Sequence, residues 1–522
     1  MSVNLSKSQY LRGLQCKKSL WLYKYAREIQ DTPSESQLAR FESGDRVGEL
    51  ALKLFDCTEK IDFDEGDFAE KIARTQALIA SGASAIAEAT FEYKGVIVMV
   101  DILQITPQGL IINEVKSATS LKGVYIDDLA IQYFVITQGT QTQASSYIYD
   151  KHAQAQTDAQ GTQNAHQVIG ANLIHINNSY ERNGELELEK LFTKVDCLES
   201  VRAKQGEVAQ NLAEFENALS NKEISPQIPI GAQCSTPYNC DFRGYCWHTV
   251  PKQDSIFHIA GRKSFDPFAL YHSGIRSFSE IEDFGILSES QKLQVQSALK
   301  KEVHIDKGAI KAFLDTLAYP VYHLDFETFA EAVPSFDKQR AYMQIPFQYS
   351  LHIEDLGEAK EVAHREFLAD THSDPREAFI QSLIKDIPQD ACILAYNASF
   401  EKGVMKNLAE SFPKYAEALE NFIANTHDLM IPFKDKSYYH HAMNGSYSIK
   451  AVLPALVPEM ERAYQNLELI HNGDEAMSAF PRLKQMSEKE RESYRTALLE
   501  YCKLDTLAML KVLQKLREVA RD

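Results

Sequence analysis

YHLDFETFAE, residues 322–331, ends an apolar run on two carboxylates, Asp325 and Glu327. Side chains alternate along a strand, so residues two apart share a face. Two negative charges side by side at the end of a hydrophobic approach call for a positive partner between them. Three later stretches supply more of the same chemistry. ILAYNASFEKGVMKNL (393–408) reads as a strand turning into a helix, with Asn397 and Glu401 at the junction. NTHDLM (425–430) carries Asp428, and LLEYCKLDTLAMLKVL (498–513) is helical, which puts Tyr501 and Asp505 on one face four residues apart. Asp325, Glu327, Glu401 and Asp505 in one dry cleft would repel unless cations offset them, which points to two divalent ions about 4 Å apart.

A second constellation lies upstream. VMVDIL (98–103) carries Asp101 at the end of an apolar strand, and NEVKS (113–117) carries Glu114 and Lys116 on one strand face. If the two strands pair, two carboxylates can hold a divalent ion while the ammonium of Lys116 steadies an attacking water or the charge developing on phosphorus. An ordinary exposed Glu–Lys strand face is the plainer alternative. Glu88 precedes this pair of strands and Gln132 follows it on a helix. CSTPYNCDFRGYC (234–246) spaces Cys234, Cys240 and Cys246 as C-x5-C-x5-C, far from Cys16 in YLRGLQCKKSLWLY (10–23). A four-cysteine metal site and plain buried thiols both suit such a set. Cys57, Cys197, Cys392 and Cys502 have no motif spacing and read as core thiols.

The order Glu88, Asp101, Glu114-x-Lys116, Gln132 resembles the PD-(D/E)XK nuclease fold of the RecB type. One early and three late cysteines around such a core are similar to the iron–sulfur RecB-like nucleases, the CRISPR-adaptation nucleases among them. The resemblance implies a [4Fe–4S] cluster on Cys16, Cys234, Cys240 and Cys246, with Glu88, Asp101 and Glu114 as metal ligands and Lys116 and Gln132 as catalytic groups. The family's early histidine is replaced by Gly48, and Ile136 stands where a tyrosine is usual. The downstream set resembles the tyrosine-containing DEDD exonucleases of the DnaQ type. Asp325 and Glu327 match D-x-E, Tyr501 and Asp505 match Y-x3-D, and residues 448–450 fit a Ser-Leu-Lys segment. Glu401 stands in the place of an aspartate, and Asp428 is a fallback ligand. The whole layout resembles a bacterial family of RecB-type nucleases.

The expected fold class is therefore α/β with two nuclease cores, one restriction-endonuclease-like and one RNase H-like. The expected domains are 1–250, a helical linker over 251–315 with a helix-hairpin-helix alternative, and 316–522. Between the motifs, residues 125–139 read as a helix ending at Gly139. Residues 144–150 read as a strand, 151–167 as a polar loop, 168–177 as a strand and 188–221 as a charged helix. No Walker-type phosphate loop and no internal repeat occur, so nothing suggests an ATP-driven motor.

The chain has 522 residues, 44% hydrophobic and 25% charged, and a net charge of −18. That balance disfavours a general polyanion binder, although carboxylate-rich sites contribute to it. No apolar run of about 18 residues spans a membrane, and no signal-peptide core stands at the N-terminus, so a cytoplasmic protein without membrane partners is expected. Its expected function is metal-dependent DNA cleavage, with Mg²⁺ or Mn²⁺, on single strands or DNA ends, in repair, recombination or defence. The alternatives are a nucleic-acid-binding protein with one active head and an RNA-trimming exoribonuclease.

Overall fold

Val, Ile and Leu recur through residues 96–112, and there the chain folds back on itself as neighbouring strands. The structure is a computed structural model that describes residues 4–62, 64, 66–150, 167–261, 265–355 and 362–521, the side chains of residues 35 and 140–150 excepted. It is mixed α/β and divides into two units. One comprises Met1–His248 with Glu331–Tyr342, the other Thr249–Ala330 with Met343–Asp522.

The first unit is built on strands β1 (Leu5–Ser6), β2 (Glu59–Lys60), β3 (Ala85–Tyr93), β4 (Val96–Thr106), β5 (Gly109–Lys116), β6 (Val168–Ile176) and β7 (Phe192–Asp196). The sheet order is β2-β3-β4-β5-β6-β7, with β1 beside β4. Strand β4 changes partner along its length. It pairs with β1 in parallel at Val96 and Ile97, and with β5 antiparallel from Ile102 onward. Asp101 lies at that change. Helices α1 (Lys7–Gln15), α2 (Lys17–Tyr25), α3 (Glu35–Leu52), α4 (Phe68–Ala80) and α5 (Gly123–Asp150) follow the strands in and out. The core joins Val98, Val100, Leu103 and Ile112 of the sheet to Leu129, Ile131, Val135 and Ile136 of α5, and each such buried side chain contributes about 1.5–3 kcal/mol.

Two local expectations are corrected here. Helix α5 does not end at Gly139, and residues 144–150 are helical rather than a strand. A Cβ at Gly139 would lie 3.1 Å from the Glu92 carbonyl oxygen, so this glycine lets the helix pass close to β3 instead of stopping it. Residues 188–221 are not one helix. They form a turn of helix at Leu188–Leu191, strand β7 paired with β6, the helix Leu198–Ala203, and α6 (Gln205–Leu219). The β6 edge captures residues 192–196 despite their charge. The polar stretch at 151–166 lies outside the described residues.

The second unit carries β8 (Val303–Ile305), β9 (Val321–Phe329), β10 (Ile345–Glu354), β11 (Ala363–Leu368), β12 (Cys392–Ala395), β13 (Thr426–Asp428) and β14 (Tyr438–His440). The sheet order is β11-β10-β9-β12-β13, antiparallel across β11, β10 and β9 and parallel across β9, β12 and β13, while β8 and β14 form a separate ribbon. Around the sheet lie α7 (Ser399–Ser411), α8 (Ile449–Leu456), α9 (Gly473–Arg482) and the long α10 (Glu488–Arg521). Strand β9 is central and almost wholly buried. On α10, Leu498, Tyr501, Cys502, Asp505, Ala508 and Met509 recur at helical spacing as a buried stripe. Gln348 on β10 donates to the Leu498 carbonyl at 2.7 Å, which fixes α10 against the sheet. Residues 251–315 lie in this unit, with Gly274 at φ +98 after the short helix Pro267–His272. Among the described residues, no helix is long and apolar enough to cross a membrane.

Candidate functional site

The first cluster gathers at the point where β4 changes partner. Asp101 accepts the Val115 amide at 2.8 Å, which draws its carboxylate toward β5. Glu114 is fully buried. Lys116 contacts it at 2.5 Å, and Gln132 donates to its other oxygen at 2.7 Å. The β3–β4 register pairs Ala87 with Ile102 and Ala89 with Val100, so Glu88 faces Asp101. Glu88 sits at φ +57 within a strand, a conformation that β-structure does not favour. Burial, then the charge of Asp101, lifts its carboxyl to about 7.

Two members were not anticipated from the sequence. Asp128 contacts Lys116 at 2.8 Å and accepts from Gln132 at 3.1 Å. Its position four residues before Gln132 on α5 was a usable signal. Lys7 was not, because it comes from the far N-terminus. Its Nζ lies 3.0 Å from both oxygens of Glu114, 3.6 Å from Asp101 and 3.5 Å from Asp128. Burial pushes Glu114 up, and Asp101 adds to that, but Lys116, Lys7 and a hydrogen bond with Asp128 act together against them, and the carboxyl is held below the usual carboxylate range.

The second cluster has the opposite balance. Asp325 and Glu327 share the β9 face, as their spacing requires, and with the Cys502 thiol they place one ligand atom each within 4.8 Å of the others. Asp505 is 7% exposed, Glu327 7% and Glu401 2%. Burial raises Asp325 well above the carboxylate range, and Asp505, Glu327 and Glu401 add to the rise. Burial and then Asp505 do the same to Glu327, against the pull of Lys450. Asp505 rises to about 6 through burial, moderated by its bond from Tyr464. That hydroxyl donates to Asp505 at 2.6 Å and was another residue not anticipated. Lys450 donates to the His471 carbonyl and lies about 5 Å from the rings of Tyr464 (5.0 Å) and Tyr501 (5.1 Å). Buried carboxylates with so little counter-charge suit a bound cation.

Glu401 stands in the first turn of α7 with Oε2 lacking a hydrogen-bond partner, and its charge is felt at Asp325 and Glu327. Burial and then Asp428 lift it to about 8. Asp428 is committed elsewhere, since its Oδ1 accepts the amides of Asn397 and Met430, both at 2.9 Å. Cys502 is a buried thiol as expected, with Sγ 3.7 Å from Asp325 Oδ2.

Cys16, Cys234, Cys240 and Cys246 line one small cavity with apolar walls that include Leu22, Ile230 and Phe242. Burial raises the Cys16 thiol, the amides of Ser19 and Lys18 lower it, and Cys240 and Cys234 raise it again. Burial takes Cys246 to about 11, with Lys18 opposing and the other three sulfurs reinforcing. Cys16 and Cys246, raised by burial and then by their neighbouring sulfurs, would gain from a shared cation. A zinc ion holds its sulfurs at about 2.3 Å and so draws them within about 4 Å of each other. Arg12 braces the segment, contacting Asp241 at 2.5 and 2.9 Å, and Gln15 donates to the carbonyls of Gln233 and Tyr238.

Comparison with known proteins places the family described as "Domain of unknown function (DUF2779)" on residues 322–448. That stretch holds Asp325, Glu327, Glu401 and Asp428 and stops before Tyr501 and Asp505. No curated protein matches, and no solved structure matches.

Proposed function

We propose that this chain is a metal-dependent nuclease with two sites, a RecB-like one in the first unit and a DnaQ-like 3′–5′ exonuclease in the second. The observation that carries the proposal is the second cluster, where carboxylates from β9, α7 and α10 are buried together against little positive charge. The mixed five-stranded sheet with β9 at its centre supports the RNase H-like reading of that half. Divalent cations, held by Asp325, Glu327, Glu401 and Asp505, would supply Lewis-acid polarisation of the scissile phosphate and activation of water. Burial, then the neighbouring carboxylates, keep the Tyr501 hydroxyl protonated, so it acts as a hydrogen-bond donor that orients the attacking water and not as a base. In the first site, Asp101 and Glu114 are the cation ligands and Glu88 a further one, while Gln132 holds Glu114 and Asp128 in place. Lys116 offers its ammonium to a phosphate oxygen as charge develops there. The four cysteines would hold a [4Fe–4S] cluster that joins the N-terminal helices to the segment 234–246, with no part in the chemistry.

A second reading is favoured by Lys7. Its ammonium already offsets the first cluster, so that half would bind nucleic acid and the second half would do the cutting. Purified protein on single strands labelled at either end, with Mg²⁺ or Mn²⁺, separates the two. Two active heads require Lys116→Ala and Asp325→Ala each to remove part of the product ladder. One active head requires Asp325→Ala alone to remove it all. Cleavage unchanged in the double variant refutes both, and competition between matched DNA and RNA strands reports the preferred sugar.

A further inference from the structure

Lys7 lies where a cation belongs in the first cluster. Its Nζ is 3.0 Å from both Glu114 oxygens and within 3.6 Å of Asp101 and Asp128. A small divalent ion bound by the same carboxylates would sit at about 2.0–2.1 Å from their oxygens, in the same space. Lys116 contacts the same Glu114 Oε1 at 2.5 Å, so a divalent ion would be a third centre of positive charge on that one carboxylate, and the ion and the Lys7 ammonium compete for the seat.

The backbone that delivers Lys7 is firmly held, while its side chain keeps a partial outlet to solvent. Ser6 pairs with Ile97 in β1 and then caps α1, its hydroxyl accepting the Gln9 amide while Gln9 reaches back to the Ser6 amide. Lys7 is the first residue of that helix, and its side chain is 19% exposed. Four flexible methylenes lead from a fixed origin to a position with an outlet to solvent. In the second cluster Lys450 is instead bonded to the His471 carbonyl and lies over two tyrosine rings, acting on Glu327 and Asp505 by its charge.

We propose that Lys7 is a tethered cation occupying the metal seat of the first cluster, so that a divalent ion binds there only in competition with it. The two centres then fill in sequence as the divalent concentration rises, the second before the first. The proposal rests on the reading of the first cluster as a cation site.

The test is Mn²⁺ binding to the full chain, followed by the electron paramagnetic resonance of free Mn²⁺, together with melting temperature in chelator and in Mn²⁺. Lys7→Met is expected to bind Mn²⁺ at the first cluster about tenfold or more tightly than the wild type. The gain should vanish in Lys7→Met/Glu114→Gln. In chelator Lys7→Met should melt lower than the wild type, and Mn²⁺ should restore it. Lys7→Arg keeps the charge and should bind Mn²⁺ as weakly as the wild type, which gives a second reading if Lys7→Met folds poorly. Equal Mn²⁺ affinity in the wild type, Lys7→Met and Lys7→Arg, with Glu114→Gln weakening all of them, overturns the role of Lys7 and leaves the metal site standing. Binding indifferent to Glu114→Gln in every background overturns both.

Discussion

Replacing Glu401 with Gln removes one buried carboxylate and keeps the shape of the side chain. Glu401 is 2% exposed, its Oε2 has no hydrogen-bond partner, and burial reinforced by Asp428 lifts its carboxyl from 4.5 to about 8. The folded chain therefore holds this proton more firmly than the unfolded chain does. The associated stability is intact below pH 4.5 and is lost as pH rises through 8. At pH 7 the loss spans about 2.5 pH units at about 1.36 kcal/mol each, or about 3 kcal/mol. Gln escapes it. In chelator at pH 7, Glu401→Gln should melt roughly 5–10 °C above the wild type, and near pH 4.5 the two should melt nearly together. Mn²⁺ should reverse the order, since a ligand that binds the folded state stabilises it and the variant has lost a carboxylate that holds it. Differential scanning fluorimetry across pH, with and without Mn²⁺, reads all of this. A variant no more stable than the wild type at pH 7 in chelator, or a gap that does not change with pH, would refute the reasoning.

Three other changes test separate parts of the structure. Cys16→Ser or Cys240→Ser should abolish the brown colour and the absorbance at roughly 400 nm of anaerobically purified protein, with loss of bound iron measured by elemental analysis. Arg12→Ala removes both contacts to Asp241 and should destabilise the first unit by about 2 kcal/mol, seen as faster proteolysis between α2 and the cysteine segment. Phe480 stacks on Phe347 with centroids 4.0 Å apart, and on Phe329 at 5.7 Å. Phe480→Ala should cost about 3–5 kcal/mol and weaken Mn²⁺ binding at the second cluster, because Phe480 packs on Phe329, two residues along β9 from Glu327.

The period-two rule located Glu114 with Lys116 and Asp325 with Glu327, because a strand fixes the face of every second residue whatever surrounds it. The four-residue rule placed Tyr501 and Asp505 together on α10 for the same reason. Lys7 and Tyr464 were illegible, since each reaches its cluster through tertiary packing that no local pattern encodes. Asp128 was within reach, one helical turn before Gln132. The strand expected at residues 144–150 rested on Tyr and Ile in a short run, and there helix continuation overrode local propensity. Gly139 misled in the same way. Its use is close approach to Glu92, and a stop signal and a packing glycine look alike in sequence.

The most direct test is anomalous scattering from a Mn²⁺-soaked crystal of the full chain. It should show Mn²⁺ between Asp325, Glu327 and Asp505, with carboxylate oxygens at about 2.0–2.2 Å, and a weaker peak at Glu114 that strengthens in Lys7→Met. No peak at the second cluster at saturating Mn²⁺ would contradict the two-site nuclease.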